Sequence, residues 1–203
     1  MANKDEHQLS SDTESVRHKF VDRIFHWTAG VLILILLLSA FLPILGIKFD
    51  WLPWHWVSGV LLLFVLTFHI VRALFFQNFL NMIPKTDDIR ELLFLSVKSS
   101  DPQKYNAAQK FYHLITAASV LVLAITGAFM LVKIDTPLWN RNPAILSDDQ
   151  WGIIYVFHGL SSLVLIFLVI VHTYFTLIPE HRQFLISMIK DSGPKWARKK
   201  KND

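Results

Sequence analysis

Five histidines pose the chemical question in this chain: His26, His55, His69, His158 and His172 lie in or beside strongly apolar stretches. An ionisable ring in hydrocarbon is costly and needs a reason, such as a metal, a proton path or a buried partner. His158 and His172 are fourteen residues apart within the apolar run from Trp151 to Pro179, and His55 and His69 repeat that interval. On a helix, fourteen residues span about 21 Å and bring the two rings within about 40° of one face. A compact zinc site does not suit ligands about 21 Å apart, and a lone catalytic histidine does not explain the repeat. Histidine is a common axial ligand of haem iron, and two histidines on one iron leave no open position for oxygen. The spacing therefore points to haem ligation at two depths, which would make an electron path across a membrane.

The elements that must position these rings follow from composition. Apolar residues make up 53% of the 203 positions and the mean hydropathy is +0.39, a membrane composition. Four stretches are long and apolar enough to span: Phe25 to Leu45, Pro53 to Phe76, Phe111 to Ile134 and Trp151 to Ile178. The expected fold is all-α, an integral membrane four-helix bundle with short interfacial amphipathic helices. The first apolar run follows a polar leader without a small-residue cleavage site and reads as a retained helix. The absence of cysteine excludes covalent c-type haem attachment, iron–sulfur ligation by this chain and disulfides, so any haem is held non-covalently.

A net charge of +4 does not call for nucleic acid here, because Lys and Arg placement in a membrane protein reads as orientation. Alternate assignment of the loops puts seventeen Lys and Arg on one side and three, Lys48, Lys133 and Arg141, on the other. Both termini are then cytoplasmic in a bacterial inner membrane, with membrane lipid as surroundings. In such an antiparallel bundle His55 and His158 both begin descending helices near the outer face, and His26 and His172 both lie near the inner face. His55 with His158 would hold an outer haem. His26 with His172 would hold an inner one, with His69 at about the depth to compete for the inner position.

Other residues admit two readings each. Gly59, one turn below His55, would let a flat macrocycle lie close or would let helices pack closely. Arg72 would pair with a haem propionate or snorkel to the cytoplasmic interface. Residues Asp87 to Lys98 and Glu180 to Lys190 read as surface amphipathic helices. Asn106 and Gln109 with Lys110 stand at the entrance of the third span, with His113 one turn inside; they would hydrogen-bond a carbonyl headgroup or cap the helix. Thr126-Gly127 reads as a packing position. The loop from Asp135 to Gln150, with Asp148 and Asp149, offers a surface for an external partner. Residues 1–18 form a polar tail, 19–190 the membrane domain and 191–203 a basic tail suited to anionic lipid.

Together these features resemble the four-helix di-haem cytochrome b subunits of respiratory formate dehydrogenases (the gamma subunit), Ni-Fe hydrogenases and related oxidoreductases, a group extending to bacterial cytochrome b-561. His26-Trp27 is similar to the first-helix motif, His55 with Gly59 and Arg72 to the second-helix pattern, and His158 with His172 to the paired ligands of the fourth helix. Asn106-Ala107-Ala108-Gln109-Lys110 resembles the entrance to the third helix where quinone contacts lie, with Ala108 where that family has glycine. His69 departs from the formate dehydrogenase pattern, and ligation by His55 and His69 with His158 and His172 would resemble cytochrome bc complexes. The resemblance implies two b-type haems, menaquinone or ubiquinone near Asn106, Gln109 and His113, and a periplasmic-facing catalytic or iron–sulfur subunit. The function it implies is a membrane-anchoring electron-transfer subunit of an oxidoreductase. The alternatives are a stand-alone cytochrome b-561 quinone oxidoreductase with a small diffusible donor, and a non-redox membrane protein with a histidine proton path.

Overall fold

The computed structural model describes residues 20–76, 83–93, 107–179, 185, 188 and 189. Within them the order is α1 (Phe20–Ile44), α2 (Trp51–Phe76), α3 (Thr86–Leu92), α4 (Ala107–Leu131), a 3-10 turn at Pro143–Ile145, and α5 (Asp148–Leu177). There is no strand among the described residues. α1, α2, α4 and α5 are each long and apolar enough to cross a membrane. The architecture is an all-α membrane four-helix bundle, as expected.

The helices start two to five residues before the apolar stretches that mark them, at Phe20, Trp51, Ala107 and Asp148. Hydropathy detects the part of a helix solvated by hydrocarbon, about 30 Å thick, whereas the backbone ladder continues into the headgroup region. At the far end of α4 the regular helix stops at Leu131, short of the expected Ile134. There the chain tightens into i→i+3 bonds, Val132 N–H to Phe129 O at 3.2 Å and Lys133 N–H to Met130 O at 3.0 Å.

The chain divides into two compact units, Val31–Ile170 on the one hand and Met1–Gly30 with Val171–Asp203 on the other. In the first, the end of α1 is closed by a Schellman turn. Gly46 takes φ +88°, its N–H bonds Pro43 O at 3.0 Å, and the Ile47 N–H bonds Leu42 O at 3.1 Å. The start of α5 is a capping box: Gln150 Oε1 accepts the Ser147 N–H at 2.9 Å and Ser147 Oγ accepts the Gln150 N–H at 3.4 Å. Asp148 and Asp149 thus belong to the first turn of α5, where carboxylates oppose the helix dipole, and not to the preceding loop. Trp151 is buried, and its indole donates to Pro143 O at 2.9 Å, while Lys133 Nζ stands 4.8 Å from the same ring. These contacts fix where α5 begins, and so the depth of the histidine seven residues on. α2 packs against α4, and Tyr112 Oη of α4 donates to Leu168 O of α5 at 2.8 Å.

The surface helix expected over Asp87 to Lys98 is seen as α3, ending at Leu92, with the remainder from residue 94 outside the described residues. It is tied to α4 by a buried ion pair: Lys110 Nζ donates to both carboxylate oxygens of Asp88 at 2.9 Å. Asp88 Oδ2 also accepts the Lys85 N–H at 2.7 Å. Burial works to raise the Asp88 pKa, but the Lys85 N–H and the Lys110 ammonium outweigh it and hold the carboxyl below its ordinary value. Lys110, read from sequence as a basic group at the membrane entrance, is therefore turned inward onto α3.

In the second unit, Trp27 Nε1 donates to Met188 O at 3.1 Å. The N-terminal tail of residues 1–18, most of the helix expected over residues 180–190 and the basic tail of residues 191–203 lie outside the described residues.

Candidate functional site

Histidines from different helices meet in two places. His55 enters from the second turn of α2 and His158 from α5, with ring centroids 6.4 Å apart and planes inclined by 65°. His26 of α1 and His172 of α5 meet with centroids 6.0 Å apart and an inclination of 52°. Two imidazoles bound to opposite faces of one metal have their centres about 6.2 Å apart, from a metal–nitrogen bond of about 2.0 Å and a ring nitrogen about 1.1 Å from the ring centre. Both pairs have the separation that one six-coordinate iron would require. Among the described residues, no three His, Cys, Asp or Glu side chains converge to hold a metal ion. Each place is a pair of rings from two different helices, residues that could hold one metal between them.

The surroundings of the His55–His158 pair come from all four long helices. Ser39 of α1 lies 2.9 Å by its Oγ from His55 Nδ1, and Thr126 of α4 lies 2.8 Å by its Oγ1 from His158 Nδ1. Both hydroxyl residues are buried. Gly127 adds close backbone: a Cβ there would stand 3.4 Å from His158 Cε1. Thr126-Gly127, read from sequence as a packing position, faces a histidine. Neither Ser39 nor Thr126 was singled out by the sequence as a histidine partner. The available signal was a lone hydroxyl in an otherwise apolar run, Leu37-Leu38-Ser39-Ala40 and Ala124-Ile125-Thr126-Gly127.

Beside the other pair, the Trp27 indole stands edge-on to His26 with centroids 5.5 Å apart. His172 is exposed and His26 half-buried.

Of the remaining candidates, Gly59 faces α1, where a Cβ would meet Leu36 Cδ2 at an ordinary 3.8 Å. His69 and Arg72 are half-buried in the last turns of α2. Gln109 and His113, one turn apart on α4, are exposed on the helix surface, while Asn106 lies outside the described residues.

A family model, that of prokaryotic cytochrome b561, matches residues 17–191, nearly the whole chain. No curated protein matches it.

Proposed function

The chain belongs to the prokaryotic cytochrome b561 family, and from that premise we propose that it carries two b-type haems, one between His55 and His158 and one between His26 and His172. Family membership makes it a multi-pass bacterial membrane protein that binds b-type haem and transfers electrons. The observation that carries the finer reading is the matched pair of ring separations, 6.4 Å and 6.0 Å, each suited to a single iron.

Bound haem would supply a one-electron couple at iron. The four histidines would each offer one ring nitrogen to the iron, and two on one iron would leave no open position for oxygen. The two positions on α5 are fourteen residues apart along one helix, so a single element would hold one ligand for each haem. His26 is the proposed partner of His172, supported by their 6.0 Å separation, and His69 would then shape the surroundings. Arg72 is suited to a propionate carboxylate.

The excess of Lys and Arg on one side supports cytoplasmic termini, which would put His55 and His158 toward the periplasm. Electrons would pass between a periplasmic-facing catalytic or iron–sulfur subunit and quinone near the cytoplasmic face. There Gln109 would donate a hydrogen bond to a quinone carbonyl, and the His113 imidazole would exchange protons with it. Asn106 is proposed for the same site from its place in the sequence.

Pyridine haemochrome quantitation on the wild type and on alanine substitutions of His26, His55, His69, His158 and His172 tests this reading. About two haems per chain are expected in the wild type and about one in each variant except that of His69. Loss of a haem in His69→Ala with both retained in His26→Ala would reassign the second pair. A stand-alone cytochrome b-561 acting on quinone with a diffusible donor is the second reading, compatible with the same family. Catalytic quinone reduction by the purified single chain would establish it, whereas a subunit would co-purify with a redox partner.

A further inference from the structure

The hydroxyls beside His55 and His158 are placed to do more than fill space. Each has a single proton, and each also lies against a backbone carbonyl of its own helix. Ser39 Oγ is 3.0 Å from Leu36 O, and Thr126 Oγ1 is 2.6 Å from Val122 O and 3.3 Å from Leu123 O. A carbonyl oxygen can only accept, and two oxygens cannot approach to 2.6 Å without a proton between them. At Thr126 the hydroxyl proton therefore goes to Val122 O, and the parallel geometry assigns the Ser39 proton to Leu36 O. The contact of each hydroxyl oxygen with the histidine, 2.9 Å for Ser39 and 2.8 Å for Thr126, must then be made by an N–H of the ring.

We infer that Ser39 and Thr126 are positioning residues that fix the Nδ1–H tautomer of His55 and His158, leaving Nε2 of each ring as the nitrogen that binds iron. This rests on the ligation proposed above. The arrangement is two-fold in character: a hydroxyl on α1 holds the ligand on α2, and a hydroxyl on α4 holds the ligand on α5. Each oxygen is a neutral acceptor, so it orients the ring and moderately increases its electron donation without adding a charge to the membrane interior. More donation favours oxidised iron. The two hydroxyls accordingly hold the midpoint potential of this haem below the value its histidines alone would give.

The test is a potentiometric titration of the haem-loaded full chain, with low-spin electron paramagnetic resonance of the oxidised form, in the wild type, Ser39→Ala, Thr126→Val, Ser39→Thr and Thr126→Ser. The expected result is a positive shift of one haem's midpoint potential and a change in its g values in Ser39→Ala and Thr126→Val. The other haem should be unmoved, and the two hydroxyl-retaining variants should stay near the wild type. Loss of that one haem in Ser39→Ala or Thr126→Val, with retention in the partner variant that keeps the hydroxyl, also supports the inference. Unchanged potentials and g values in both hydroxyl-free variants would overturn it, as would equal shifts with and without the hydroxyl. His55→Ala and His158→Ala serve as controls: if they keep both haems, the ligation reading itself fails, independently of the hydroxyls.

Discussion

The two histidine pairs reach nearly the same ring separation in very different surroundings. His55 and His158, 6.4 Å apart, are both half-buried, with a hydroxyl at each Nδ1 and the α4 backbone against one ring at Gly127. His26 and His172, 6.0 Å apart, have an indole edge beside them, and His172 is exposed. Helix placement thus brings the rings of each pair to a similar distance, while local neighbours decide how polar each position is. The first pair is held by side chains from four helices, whereas the second has an aromatic edge beside it.

The largest expected effects test whether the pairs are independent. His158→Ala and His172→Ala lie on the same helix, yet each should remove one haem and leave the other's optical and paramagnetic signals intact. Reduced-minus-oxidised spectra would fall to about half amplitude in each case, since each iron loses one of its two axial ligands. If either substitution removed both signals, the pairs would be one cooperative site and the comparison would break.

A second effect should lie in the scaffold and leave both pairs alone. Asp88→Ala removes the carboxylate to which Lys110 donates, and breaking a buried ion pair costs about 3–5 kcal/mol. The melting temperature in detergent should fall, with both haem potentials unmoved. Acid should mimic the change in the wild type. The folded-state pKa of Asp88 is below the unfolded value of about 3.9, so the pair's stabilisation is present above that value and lost as pH falls through the lowered one. The melting temperature of the wild type should therefore drop on acidification below about pH 4, and that of Asp88→Ala should drop less.

How much of this could be read beforehand depended on whether the signal was periodic. The four crossings were legible because hydropathy is a property of the chain itself, and the fourteen-residue intervals of His55 with His69 and of His158 with His172 marked candidate ligands at two depths. Spacing leaves the ring opposite His172 open between His26 and His69, and the fold brings His26 beside it. The Ser39 and Thr126 contacts were not legible, since each joins helices 16 and 32 residues apart in sequence and depends on rotation about the helix axis. The Lys110 contact was not legible for a related reason. At a membrane mouth a lysine ordinarily reaches for water or headgroups, and only the fold brings Asp88, 22 residues earlier, to it. The role of Asp148 and Asp149 was hidden because the capping box at Ser147 and Gln150 lies in a loop without apolar periodicity.

A smaller effect should distinguish the pairs by packing. At Gly127 an added Cβ would just touch His158 Cε1 at 3.4 Å, so Gly127→Ala should leave the bound haem's spectrum nearly unchanged. Gly127→Val places a branched side chain against the ring, and overpacking of that kind costs about 1–3 kcal/mol. Its consequence should be partial loss or a shifted potential of the His55–His158 haem alone. An equal disturbance of both haems would mean that Gly127 acts through general helix packing.

The smallest effect concerns the other pair. Trp27 touches His26 through its ring edge, and its indole N–H is held by Met188 O at 3.1 Å. Trp27→Phe keeps an aromatic neighbour but removes that hydrogen bond, which at an exposed position is worth at most about 1 kcal/mol. The haem at His26–His172 should dissociate at most about fivefold more readily, by the usual conversion of that energy. The haem at His55–His158 should be retained as in the wild type, because its neighbours are hydroxyls and backbone. Competition for haem by an excess of apomyoglobin, followed at the two haems' separate potentials, would measure the difference. Equal loss from both would show that Trp27 steadies the bundle as a whole and not the ring beside it.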